Sequence, residues 1–219
     1  MKPYPHLAAA DARVVELHTE DSLQRTEVEQ FIREVYAERF GARLGVLMPV
    51  LAALSDGNRG VQAAAGLRPA VLGPLFVEQY LDASIEQVVE STTGHRVARS
   101  RIIEVGNLAT RLPGIARVLF VALTQCLYER GFDWVVFAGT TDVRAIFRRM
   151  GIELVSLGPA DPNRLGDARH DWGSYYDNQP VVMAGSIAAG CRALGLERAP
   201  LSLLTALGQL PGRTVPCAG

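Results

Sequence analysis

Between Arg25 and Phe40, apolar residues recur at three- and four-residue steps. Val28, Phe31, Ile32, Val35, Tyr36 and Phe40 share one helical face, with Arg33, Glu34 and Glu38 mostly off it. That spacing predicts an amphipathic helix packed on a sheet. Further along, the period changes. Arg101 to Leu108 is β-rich and Leu112-Pro113-Gly114 breaks it. Ile115 to Tyr128 then returns to helical spacing through Ile115, Val118, Leu119, Ala122, Leu123, Cys126 and Leu127, until Gly131. Trp134 to Phe137 is a short apolar run between Asp133 and Gly139, the pattern of a buried strand. A helix between two such strands makes a right-handed βαβ crossover, so the strands are expected as parallel neighbours with a V-shaped opening between them.

Shorter patterns fill in the rest. Arg13 to Leu17 reads as a strand, and Ser22 is the expected cap of the first helix. Leu47 to Leu54 and the run VQAAAGLRPA flank Ser55-Asp56-Gly57-Asn58, which predicts a hairpin. Asp82-Ala83-Ser84 caps a short helix over Ile85 to Ser91. Thr141-Asp142 caps another over Val143 to Met150, stopped by Gly151. Ile152 to Leu157 is the next strand. Trp172 to Tyr176 and Pro180 to Met183 read as a final strand or hairpin arm, and Ser186 to Leu194 as a helix. Residues 158–171 are polar and rich in Gly, Pro and Asp. A loop that long in a compact domain is expected to cover a site. The division is an α/β (α+β) domain over 13–190, after a loose tail at 1–12, then a C-terminal helical extension and tail over 191–219 in which LSLLTAL forms a helix.

Composition narrows the function. A chain of 219 residues with 48% hydrophobic and 21% charged residues fits one soluble globular domain. A net charge of −1 argues against a nucleic-acid binder. Lys2 is the only lysine, so positive charge comes as planar arginine forks suited to phosphate or carboxylate. Cys126, Cys191 and Cys217 form neither a metal-binding spacing nor a disulfide framework, and His6, His18, His95 and His170 show no ligand spacing, so no metal is expected. No run approaches transmembrane length and the N-terminus lacks a signal-peptide core, so the expected location is the cytoplasm.

Two places could carry chemistry. In Arg111-Leu112-Pro113-Gly114-Ile115-Ala116, a glycine and a small residue open a helix beside an arginine. Backbone N–H groups of a first helical turn attract an anion, although the same residues also make an ordinary strand-to-helix turn. The second is Glu104. Alternation from Arg101 puts Ile103 and Val105 on one strand face and Ile102, Glu104 and Gly106 on the other. A carboxylate on a central strand must be paired, hydrogen-bonded or functional; Arg68 and Arg101 are the candidate ion-pair partners.

The loop pattern R-x-x-G-x-A resembles the pyrophosphate-binding loop of the GNAT acyltransferase superfamily. The phrases FGARL (Phe40 to Leu44), AAGLRPA (Ala64 to Ala70), PLFVEQYLD (Pro74 to Asp82), EVGNLA (Glu104 to Ala109) and WGSYYD (Trp172 to Asp177) resemble the thermostable haemolysins. That family is similar to the acyl-homoserine-lactone synthases and N-acyl amino acid synthases. The resemblance implies a GNAT-like fold, with a mixed, mostly antiparallel sheet flanked by helices. It also implies an N-acyltransferase moving a fatty acyl group from acyl-CoA or the phosphopantetheine of acyl carrier protein to a small-molecule amine such as an amino acid. In that reading Glu104 is the base, Tyr175 or Tyr176 protonates the leaving thiolate, and backbone N–H groups near Leu108 and Ala109 meet the oxyanion. The pantetheine runs along Asn107, Leu108 and Ala109, and its phosphate meets Arg111, Gly114, Ile115, Ala116 and Arg117. Tyr36, Arg39, Phe40, Arg68 and Trp172 line the substrate, with Tyr36 and Phe40 fitting equally as core aromatics. The lactone synthases carry an Arg three residues after the Glu; here that position is Asn107, so lactone synthesis itself is not implied. Two readings of other classes stand beside this one: a haemolysin that disrupts membranes directly, and an inactive GNAT-like binding module.

Overall fold

The computed structural model describes residues 14–56, 60–112 and 114–196. A seven-stranded sheet runs in the order β1-β2-β3-β4-β5-β7-β6. Its strands are β1 (Val14–His18), β2 (Val50–Asp56), β3 (Gly60–Pro69), β4 (Ile102–Thr110), β5 (Trp134–Gly139), β6 (Val155–Pro159) and β7 (Val181–Ser186). Every pair is antiparallel except β4 with β5, which are the parallel neighbours the βαβ pattern requires. The turn of the β2–β3 hairpin, at residues 57–59, lies outside the described residues, as do the tail at 1–12 and the helix expected beyond Pro200.

Helices cover both faces. α1 (Arg25–Phe40) packs Val28, Phe31, Ile32 and Val35 against Leu51, Ala53, Ala64 and Ala109. α2 (Ile85–Thr93) sits on the same side over Ile102, Val136 and Val182. On the opposite face α3 (Ile115–Glu129) packs Leu119, Ala122 and Leu123 on Ala52, Leu54, Ala65 and Ile103. α4 (Thr141–Arg149) and α5 (Ile187–Leu194) join it there. Ile102 and Ile103 accordingly belong to different cores, as the alternation predicts. The extension expected from residue 191 starts inside α5, whose Ile187, Cys191 and Leu194 are buried with the domain.

Four local expectations are corrected. Ser22 does not cap α1, because its hydroxyl accepts the Thr19 N–H at 2.9 Å in a preceding turn and the helix starts after Gln24. The cap of α4 is Thr140, whose hydroxyl accepts the Val143 N–H, so Thr141 is already helical. The strand expected from Ile152 begins at Val155. Gly151 (φ 72°) and the bond from Ile152 N–H to Phe147 O first close the end of α4. Trp172 to Tyr176 is no strand: Gly173, at φ 51° and ψ −128°, turns the chain between two 3-10 segments, Pro162–Trp172 and Tyr175–Asn178. That turn bunches the aromatic rings instead of alternating them.

Candidate active site

The sheet comes apart at its middle. β4 and β5 pair only through Ile102↔Trp134, Ile103↔Val135 and Glu104↔Val136, while β4 continues to Thr110 and β5 to Gly139. Beyond that point each strand keeps its outer neighbour, β3 or β7, so the inner edges form a fork. A bulge sharpens it. Ala64 pairs with Ala109 and Gly66 with Gly106, leaving Asn107 and Leu108 opposite Ala65 alone. Asn107 has φ 48°, unusual for a side-chain-bearing residue, and its Oδ1 accepts the Met48 N–H at 3.3 Å.

Glu104 stands at the crotch of the fork, 1% exposed. Its Oε2 accepts the Phe76 N–H at 2.7 Å and its Oε1 the Val77 N–H at 2.9 Å. Burial pushes its carboxyl up to about 7, against the two N–H bonds and the charge of Arg68, which pull it down. Neither candidate ion pair forms: Arg101 is bound to Asp133 at 2.7 Å. Arg68, the direct cross-strand neighbour of Glu104, donates to Pro74 O and has no ion-pair partner among the described residues. The segment 70–81 that delivers the two N–H groups is fixed in turn by Glu78. That carboxylate accepts from Leu75 N–H, Ile85 N–H and Arg99, which hold its pKa down to about 2. Arg99 also binds Ala70 O and Gly73 O, so one guanidinium ties the whole segment together.

A cavity of about 500 Å³ opens around this point. On the α1 side it is walled by Tyr36, Phe40, Phe76, Trp172 and Tyr175, whose rings meet one another at centroid distances of 5.2–6.3 Å. It passes through the fork beside Val105, Leu108, Val135 and Ala138, and ends against Phe120, Leu123, Phe147 and Gly190 on the far face. The extended strap at 41–49 closes one wall. Arg33 holds its Leu44 O and Gly45 O, and Arg25 its Met48 O and Pro49 O, with Glu29 bridging the two guanidiniums. Met48 lies over the glycine pair Gly66↔Gly106, where a Cβ on Gly66 would come within 2.8 Å of the Met48 Cβ.

The structure thus brings Glu104, Asn107, Leu108, Tyr36, Arg39, Phe40, Arg68, Trp172 and Tyr175 to one cavity. Tyr175 is buried, which raises its pKa well above that of a free tyrosine, and its hydroxyl donates to Ala138 O on the inner edge of β5. Ala109 is packed under α1 instead. The expected phosphate loop stands apart from the cavity. Arg111 binds Glu34 and Glu38 and lies 5.4 Å from the centre of the Phe31 ring, tying the end of β4 to α1. Gly114 (φ 81°) opens α3 from the left-handed region, Ile115 and Ala116 are buried, and Arg117 is exposed. The Ile115 and Arg117 N–H groups make long bonds of 3.4 and 3.2 Å to Leu112 O and Gly114 O. Residues not singled out in the sequence also line the site: Met48, Arg43, Phe76 and Tyr80. Tyr80 shares a 2.5 Å hydrogen bond with Tyr176, and its sequence signal was its place, with Phe76, in the phrase PLFVEQYLD.

A forked mixed sheet with a buried carboxylate at the fork and a cavity running through it defines a GNAT-like acyltransferase fold. The chain belongs to the thermostable hemolysin family, whose sequence profile matches residues 18–191. Among solved structures, the chain is similar to the acyl-homoserine-lactone synthase LasI, at 12% identity and TM-score 0.58, over 84% of this chain and 95% of that one. It is similar to apo TofI at 17% identity and TM-score 0.57, over 84% and 97%. It is also similar to FeeM, an N-acyl amino acid synthase from uncultured soil microbes, at 13% identity and TM-score 0.56, over 85% and 96%. At these identities the likeness is one of fold. No curated protein sequence matches significantly. No helix among the described residues is long and apolar enough to cross a membrane.

Proposed function

We propose that the protein is an N-acyltransferase that moves a long acyl chain from a thioester, on acyl carrier protein or CoA, to a small-molecule amine. The observation that carries this reading is Glu104, a buried carboxyl near pKa 7 at the mouth of an apolar cavity that crosses the sheet. A general base works best with a pKa close to the operating pH, and this one has it. The amine lone pair attacks the thioester carbonyl carbon, the new C–N bond forms, and the C–S bond breaks. Glu104 takes the proton lost by nitrogen and the sulfur leaves as a thiolate that is protonated to the thiol. Tyr175, kept neutral by burial, is the candidate donor to that sulfur, after leaving its bond to Ala138 O. The bulge at Asn107 and Leu108 supports backbone N–H donors for the oxyanion there.

The acyl chain fits the deep end of the cavity. An apolar cavity of about 150 Å³ holds a benzene ring, so about 500 Å³ has room for a long acyl chain beside a small amine. The pantetheine follows Asn107 and Leu108 towards the Gly114 turn, where a phosphate would compete for the long N–H bonds at the start of α3. Arg111 and Arg117 flank that turn as its two cations. The test is thiol release from long-chain acyl thioesters over a panel of amines. Release that depends on amine and on Glu104 supports the reading; liposome leakage without any thioester, and no thiol release, would replace it with direct lysis.

A further inference from the structure

Resting on that reading, we infer that the acceptor is an α-amino acid whose carboxylate is bound by Arg68, so that Arg68 selects amino acids over simple amines. Arg68 and Glu104 face each other directly across β3 and β4, on the same face of the sheet. Such neighbours have Cβ atoms roughly 5 Å apart. The amino nitrogen and carboxylate carbon of an α-amino acid are about 2.5 Å apart, so one small molecule can present its nitrogen to Glu104 and its carboxylate to Arg68. Both side chains line the cavity.

The state of Arg68 supports an anionic ligand. Among the described residues its Nε is the one buried side-chain nitrogen or oxygen without a hydrogen-bond partner. One terminal nitrogen is anchored on Pro74 O, which fixes the guanidinium without neutralising it. Its neighbour Glu104 spends both oxygens on Phe76 and Val77 N–H groups. A guanidinium held in an aromatic cavity with a bare Nε is a ready-made partner for a planar carboxylate, which takes two parallel N–H bonds from it. An amine without a carboxylate would leave that group unsatisfied, which is why a site built for a polar group rejects the analogue that lacks it. The aromatic wall of Phe40, Phe76 and Trp172 adjoins the same space and suits an apolar side chain on the amino acid.

The test uses the full chain with palmitoyl-CoA and palmitoyl-acyl carrier protein, following thiol release. Phenylalanine, leucine and glycine are compared with phenethylamine, isoamylamine and methylamine. For the natural protein the expected kcat/KM is about 10- to 100-fold higher for the better amino acids than for their carboxylate-free counterparts. Arg68→Gln should bring the two classes within about threefold of each other by raising KM for the amino acids, and Arg68→Lys should restore part of the preference. Equal kcat/KM for the two classes in the natural protein, or an undiminished preference in Arg68→Gln, would overturn the inference while leaving acyl transfer intact. No thiol release with any of the six amines would overturn the acyltransferase reading beneath it.

Discussion

Replacing Glu104 by Gln should remove a pH-dependent loss of stability and lower activity at the same time. The carboxyl titrates near 7 in the folded chain against an ordinary 4.5. A raised folded pKa means that the folded state holds its proton more tightly, so the stability this group contributes is complete below about 4.5 and is lost as pH rises through 7. The shift corresponds to about 3 kcal/mol. Gln is only a partial mimic of the protonated acid: its oxygen still accepts from Phe76 or Val77, but its NH2 group is donor-only and leaves the other N–H unpaired, a pH-independent cost of about 1–3 kcal/mol. The variant should therefore be less stable than the natural protein by about that cost near pH 4.5, and the gap should close by about 3 kcal/mol as pH rises to 9.

Activity should fall as well, because Gln cannot take a proton; loss of a general base typically lowers rate by roughly 10²–10⁴. Urea denaturation of both proteins from pH 4.5 to 9, with thiol-release kinetics on the same samples, reads both effects. Taking the difference between the two proteins cancels every other titrating group. A carboxylate that held the fold together would make the gap widen with pH, so a gap that closes with pH, together with a loss of turnover, marks a site kept for chemistry. A gap that widens from pH 4.5 to 9, or near-normal turnover, would refute the reasoning. The first would mean that the carboxylate is a structural partner, the second that the proton goes elsewhere.

Four further outcomes are expected. Gly66→Ala should destabilise by about 1–3 kcal/mol in chemical denaturation, since the new Cβ meets the Met48 Cβ at 2.8 Å and Asn107 Oδ1 at 2.7 Å. Gly106→Ala should cost well under that, because it displaces only the methyl end of Met48. Arg99→Gln should cost about 2 kcal/mol and, by loosening the segment that donates the Phe76 and Val77 N–H groups, move the acid limb of kcat/KM to higher pH; an unmoved limb would show that Arg99 does not act on Glu104. Gly190→Leu should shift the preferred thioester towards shorter chains, read from kcat/KM across acyl lengths, because position 190 lines the deep end of the cavity opposite Thr124.

Much of this was legible where a pattern repeats. The βαβ unit, the parallel pairing and the two cores on either side of Ile102 and Ile103 follow from period and alternation, which are local properties of the sequence. Glu104 stood out because a carboxylate amid Ile102, Ile103 and Val105 has to be accounted for. What it binds was not legible. Its partners are two backbone N–H groups, which every sequence offers everywhere, delivered by a 3-10 segment with no periodicity. Capping slipped by a residue or two at Ser22 and Thr141 for a similar reason, since several hydroxyls and acids compete for one helix start.

Arg111 shows the other limit of a motif. In R-x-x-G-x-A the arginine reads as a phosphate ligand, but the acids that engage it, Glu34 and Glu38, lie more than seventy residues earlier on the outer face of α1. Nothing near position 111 announces them. The consequence is mechanical as well as electrostatic. Beyond Glu104 the inner edge of β4 has no strand to hold it, and a free edge in the middle of a sheet would tend to close on β5 or fray. The Arg111 pairs at the far end of β4, and Met48 seated over Gly66 and Gly106 nearer the bulge, hold that edge from the α1 side. Exposed pairs of this kind are each worth little, roughly 0.2–1 kcal/mol. The fork is therefore kept open chiefly by what is buried in it: the bulge at Asn107, the glycine pair under Met48, and the carboxyl of Glu104 with its two N–H donors. A site that depends on a broken sheet needs its own packing to keep the break, and here the residues that shape the opening include Glu104, the base of the proposed reaction.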